Sequence, residues 1–251
     1  MRSIPPRKQF ATAVLLLVSG TGLFAQNPPR TLQPAQAPSS TLPAKPLPAP
    51  SPRTLILLDP AHGGPDSGAR LSDNQNEKNV TLAFNNRLRA LLSAANFAVI
   101  STRTSDPSTA FTTDQRAEIA NHDHPALCLV LHATGSGSGV HLFTSTLAPS
   151  RQSHNLRWDK AQAPSVAVSR DLARRIGAAL LQAKLPVLLN QASVPPVDNL
   201  TCPAIAIELA PLPQPGAAPV SNPDYQQRVA QAIVTALTQW RDGNAATELI
   251  Q

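Results

Sequence analysis

Residues 54–241 predict a single α/β domain with a mostly parallel sheet flanked by helices on both faces. Two observations carry this. Short continuous apolar runs, such as Thr54-Leu55-Ile56-Leu57-Leu58 and Leu127-Cys128-Leu129-Val130-Leu131, mark strands covered on both sides. Between the runs lie longer stretches with apolar residues at helical spacing, and strands alternating with helices build a parallel sheet between helical layers.

The elements follow in order. Residues 54–58 form the first strand, and Val80, Phe84, Leu88, Leu91, Leu92 and Ala95 line one face of a helix over 79–95. A second strand covers 97–100. Thr112 and Gln115 are spaced as a capping box opening a short helix to 121. Strands at 126–131 and 139–143 follow, then a helix over 164–184 through Val168, Leu172, Ile176 and Leu180. Residues 204–209 are another buried strand. Asn222 with Pro223 supplies an N-cap and first-turn pair for a last helix through Tyr225, Val229, Ile233, Leu237 and Trp240. Residues 242–251 are expected as a loose tail.

The 251 residues suffice for one such domain plus appendages. Residues 1–25 read as a signal peptide: Arg2, Arg7 and Lys8 precede an apolar stretch, and Ala25 offers a small residue for cleavage. The 15-residue stretch 10–24 is shorter than the roughly 20 residues of a membrane span, so cleavage is favoured over an anchor. Residues 26–53 are a Pro-rich, disordered linker. The six basic and no acidic residues of 1–53 account for the formal charge of +6, leaving the domain neutral. A nucleic-acid partner is therefore not expected, since it needs a basic face on the folded part. The protein is expected to be periplasmic or secreted, monomeric and free of membrane after cleavage. Export permits a disulfide between Cys128 and Cys202. Each also suits a buried small hydrophobe, so pairing stays open.

Four residues suggest chemistry. His62 sits in the glycine-rich turn Asp59-Pro60-Ala61-His62-Gly63-Gly64 at a strand end, and His132 ends the third strand. In such sheets reactive groups gather outside the carboxyl ends of the strands. Glu77 stands at the start of a helix, where the helix dipole alone would explain a carboxylate. A strand-end histidine taken singly is more often structural. Together, two histidines and a glutamate make the donor set of a catalytic Zn²⁺ that keeps one position open. Glu208 interrupts Ala204-Ile205-Ala206-Ile207-Glu208-Leu209. A carboxylate there is costly unless paired, metal-linked or catalytic, and a structural salt bridge is the plain alternative.

The ordered segments LLDPAHGGPDSGA, NEKNVTLA, STRTSD, QRAEIAN, LVLHA, GVHLF and PAIAIEL resemble the type 3 zinc N-acetylmuramoyl-L-alanine amidases across nearly all of 54–240. The resemblance implies the family's phosphorylase/hydrolase-like α/β sandwich and cleavage of the amide between N-acetylmuramic acid and L-alanine in peptidoglycan. It places one Zn²⁺ per chain on His62, Glu77 and His132 and the catalytic role on Glu208. This chain departs from the family pattern at Ala61 (usually glycine), at Thr134 (usually asparagine) and in Ala210-Pro211-Leu212-Pro213 after the last glutamate. An arginine usual before that strand is missing. The segment matching the family's inhibitory helix is too short for one, and any activator protein is unidentified. Competing readings are a peptidoglycan-binding module with weak catalysis and a zinc carboxypeptidase. Among the other histidines, His141 alternates within a strand toward the cleft as a possible substrate contact. His122, His124 and His154 sit in polar turns or loops.

Overall fold

The computed structural model describes residues 53–71, 74–152, 156–213 and 218–248. The signal-peptide and most of the linker assignments lie outside these residues. The strands are β1 (Leu55–Pro60), β2 (Ala98–Ser101), β3 (Leu127–Ala133), β4 (Val140–Thr144), β5 (Val187–Gln191) and β6 (Ala204–Leu209). The helices are α1 (Glu77–Ala94), α2 (Thr113–His122), α3 (Val166–Gln182) and α4 (Pro223–Glu248). The six strands form one sheet in the order β2-β1-β3-β6-β4-β5. β2, β1, β3 and β6 run parallel, while β4 runs antiparallel to β6 and parallel to β5.

The reversal of β4 follows from chain length. Residues 134–139 leave the end of β3 and must cross the end of β6 to reach β4. Two strand spacings are about 10 Å, and six residues reach at most ~20 Å. They can cross the sheet edge but not return along a strand, which takes a crossover of a dozen or more residues.

Alternation divides the strand side chains between two faces. Leu127, Leu129 and Leu131 join Ile56, Leu58, Ile205 and Ile207 in a large core under α1, α3 and α4. Cys128 and Val130 point the other way, into a smaller core with Leu57, Ala204, Ala206, Ala117 and Ala120 of α2, and Val197. Fully burying a leucine stabilises by about 1.5–3 kcal/mol, so the three-helix face carries most of the stability.

Local signals behave as the sequence predicts. Thr112 and Gln115 form both bonds of a capping box on α2. Asn222 Oδ1 accepts the N–H groups of Asp224 and Tyr225 at 2.9 and 3.0 Å, capping α4. Two elements differ from expectation. β5 is an outer strand whose Leu188 and Leu189 remain 47% and 46% exposed, and with so little burial it leaves no clear pattern to read. α4 continues to Glu248, correcting the tail expected from 242. Asp242, Gly243 and Asn244 are exposed there, so helix continues after the apolar periodicity has ended.

Cys128 and Cys202 are joined, with Cα atoms 6.1 Å apart and a separation of 74 residues, tying β3 to the segment before β6. Closing a loop of that length stabilises by about 4 kcal/mol when the unfolded chain is the reference. Reductant, or replacement of both cysteines by alanine, should therefore lower the denaturation midpoint by a comparable free energy. Equal midpoints with and without reductant would show that the bond stabilises nothing.

Candidate metal centre

The loop after β1 is held from below by two buried arginines. Arg116 Nη1 pairs with Asp59 Oδ1 at 2.6 Å and donates to Pro60 O, while Nη2 donates to His62 O at 2.7 Å. Arg103 donates to Pro60 O, Ala61 O and Lys78 O, all within 2.9 Å, joining the loop to the start of α1. Thr102 Oγ1 donates to the same Asp59 oxygen. On the outer side, Lys78 Nζ bridges Gly64 O and Asp106 Oδ2 at 2.8 and 2.7 Å. These contacts hold His62 at φ 62°, a left-handed conformation that is uncommon outside glycine.

His62 is oriented through both ring nitrogens. Nδ1 lies 2.8 Å from Asp66 Oδ2, and Nε2 lies 3.0 Å from Glu77 Oε2. Asp66 Oδ1 also accepts the Gly68 N–H. A Cβ at Gly68, where φ is +63°, would stand 2.6 Å from His62 Cδ2 and 2.8 Å from Glu77 Oε2. Glycine there leaves the two side chains room to meet.

Glu77 is the first residue of α1 and its side chain is buried. Its two oxygens divide the work. Oε2 accepts the Ala69 N–H at 3.0 Å; Oε1 accepts the Ala133 N–H at 3.1 Å and meets His132 Nδ1 at 2.8 Å. One ligand atom from each of His62, Glu77 and His132 lies within 4.8 Å of the others. His132 Nε2 is buried without a hydrogen-bond partner among the described residues.

Burial alone would raise the Glu77 carboxyl, but hydrogen bonds from His132 and His62 outweigh it and hold the pKa far below the ordinary range. The His62 pKa is raised, chiefly by its bond to Glu77 and against the effect of burial. An imidazole with a carboxylate at each nitrogen calls for positive charge. A divalent cation bound by the same atoms would supply it. Two imidazoles and one carboxylate also match the donor set of catalytic zinc. The residues present fit such an ion.

Glu208 stands beside this group and outside it. The sheet register pairs His132 with Glu208 and Glu208 with His141. Glu208 Oε2 lies 2.7 Å from His141 Nδ1, with the Glu208 side chain 27% exposed. The expected ligands His62, Glu77 and His132 are thus brought together, and Glu208 reaches the same sheet edge. His141, expected near the cleft, meets Glu208. His122 and His124 lie at the far end of the sheet and are exposed, and His154 falls outside the described residues. Asp59, Asp66, Arg103 and Arg116 did not emerge from the sequence as supports. Only the four-residue spacing of Asp66 from His62 was a local signal. Thr134 Oγ1 accepts the Ser136 N–H, and Pro211 O accepts the Gly139 N–H, so the unusual residues are built into the rim.

The fold and site together are those of an α/β enzyme with its reactive groups at the carboxyl edge of a parallel sheet. The chain belongs to the N-acetylmuramoyl-L-alanine amidase family, whose model matches residues 56–239. The germination-specific N-acetylmuramoyl-L-alanine amidase of Bacillus subtilis is 27% identical over 209 residues, covering 78% of this chain and 83% of that protein. AmiA of Salmonella typhimurium is 37% identical over 83 residues, 33% of this chain, and the match spans 28% of that protein's length. Among solved structures, the Ami1 amidase of Mycobacterium smegmatis superposes with a TM-score of 0.61 at 21% identity, over 74% of this chain and 95% of that one. An amidase of Clostridium difficile 630 gives 0.58 at 21% identity, over 76% and 97%. These two similarities concern the fold.

The Asp59–Arg116 pair yields a test. Arg116→Met leaves a buried carboxylate without its cation and should cost about 3–5 kcal/mol. Adding Asp59→Asn removes the stranded charge and should recover part of the loss in a denaturant titration. A double variant no more stable than the single one would show that the ion pair is not the source.

Proposed function

We propose that this chain is an exported, zinc-dependent amidase that hydrolyses the bond between N-acetylmuramic acid and L-alanine in peptidoglycan. The observation that carries the reading is the convergence of His62, Glu77 and His132 within 4.8 Å at the sheet edge, in a chain of this family. Those three residues would hold the ion. When bound, zinc supplies Lewis acidity that polarises the scissile carbonyl and brings the pKa of water to about 7.

The chain's own residues do the rest. Asp66 fixes the His62 ring, as carboxylates behind metal-binding histidines do. Glu208, beside His132 and open to solvent, accepts a proton from the attacking water as the new C–O bond forms. It then delivers that proton to the amide nitrogen as the C–N bond breaks, so the amine leaves neutral. The products are a lactyl carboxylic acid, which gives up the remaining water proton to solvent, and a stem peptide with a free L-alanine amine. The Cys128–Cys202 bond supports export to an oxidising periplasmic or extracellular compartment, consistent with the proposed signal peptide.

Purified protein should hold close to one zinc per chain by elemental analysis. His62→Ala and His132→Ala should each empty the site and lower the melting temperature. Full zinc content in both would remove them from the ligand set.

Glu208→Gln should keep the zinc and lose about 10²–10⁴-fold in rate, as expected for a lost general base. Mass analysis of digested peptidoglycan should find glycan free of peptide and peptides beginning with L-alanine. Released terminal amino acids would indicate a carboxypeptidase, and binding without products a binding module. Undiminished activity in a folded, zinc-loaded Glu208→Gln would exclude Glu208 from the reaction.

A further inference from the structure

We propose that His141 is a positioning residue for Glu208: its Nδ1–H holds one carboxylate oxygen so that the other faces the reacting water. The inference rests on Glu208 being the general base and deepens that reading.

Three features converge on it. The register sets His132, Glu208 and His141 in one row across β3, β6 and β4, with Glu208 between the two histidines. Strand alternation puts the row on the thinner face, since Leu131, Ile207 and Leu142 on the same strands all enter the opposite core. His132 belongs to the metal group, so His141 is the flank that meets Glu208 from the other side.

The contact is also one-sided. Glu208 Oε2 meets His141 Nδ1 at 2.7 Å, and Glu208 Oε1 has no hydrogen bond among the described residues. The His141 side chain is 11% exposed, whereas the Glu208 side chain is 27% exposed. A pair serving stability alone gains by sealing both partners. Here the histidine is sealed and the carboxylate stays open on one side.

The ring itself has little freedom. Phe143, two residues along β4, meets it edge-on with ring centroids 6.2 Å apart. Gly137 lies so close to the ring that a Cβ there would stand 2.6 Å from His141 Cε1. A fixed imidazole removes the rotation of the carboxylate it holds. A base kept in the productive orientation needs no rearrangement during reaction, and misplacement by about 1 Å can cost ~10²-fold.

The test compares two substitutions in the full, zinc-loaded chain. His141→Phe keeps a ring of similar size and deletes the donor. His141→Asn is smaller but carries an amide N–H where Nδ1 stands. His141→Phe should lose about 10–100-fold in kcat with KM within about twofold and zinc unchanged. His141→Asn should restore most of that rate, although it packs worse. In a Glu208→Gln background, His141→Phe should add little further loss.

Wild-type kcat in His141→Phe would overturn the proposal, and so would equal losses in both variants, which would indicate packing. A rate loss accompanied by loss of zinc would place His141 in support of the metal and likewise overturn it. Each of these outcomes leaves wild-type amide cleavage intact. Wild-type protein that binds no zinc and releases no product would instead sink the function proposed above.

Discussion

The carboxylate of Glu77 is the junction on which the site depends. A buried charge of this kind costs several kcal/mol unless its lone pairs are used. Here four groups use them: the N–H groups of Ala69 and Ala133 and the rings of His62 and His132. They come from the loop after β1 and from the end of β3, while Glu77 opens α1. Three stretches of chain are thus fixed relative to one another by one side chain, and the positive end of α1 favours its charge.

That junction works only if the loop carrying His62 cannot drift. Arg103 and Arg116 donate to the carbonyls of Pro60, Ala61 and His62, where β1 ends and the turn begins. Asp59 neutralises one of the two cations. Packing matters equally, because α1, α3 and α4 crowd one face of the sheet, while among the described residues α2 and the segment 194–202 cover the other. The reactive row therefore opens to solvent where the cover is thin.

Much of this was legible in the sequence because the relevant signals are local. The apolar runs of β1, β3 and β6, the capping box at Thr112 and the Asn222-Pro223 cap each act within a few residues. The strand-end positions of His62, His132 and Glu208 follow once the strands are known. What stayed hidden depends on contacts between distant segments. Arg116 looks like any helix arginine until the fold places Asp59 beside it, 57 residues earlier in the chain. The Cys128–Cys202 bond needed the pairing of β3 with the start of β6. β5 stayed hidden because an outer strand with exposed leucines resembles a loop, and the end of α4 because an exposed helix has no apolar stripe.

The placement of β6 has a consequence for the order in which the site assembles. β6 comes late in the chain, yet it lies between β3 and β4, which are joined by only six residues, 134–139. His62, Glu77 and His132 are all present once β3 has been made, so the three proposed ligands belong to the first half of the domain. Glu208 and its bond to His141 exist only after the last strand has slotted into the gap left for it. A chain interrupted before β6 carries His62, Glu77 and His132 but lacks Glu208, and β4 lacks the neighbour that joins it to the parallel strands.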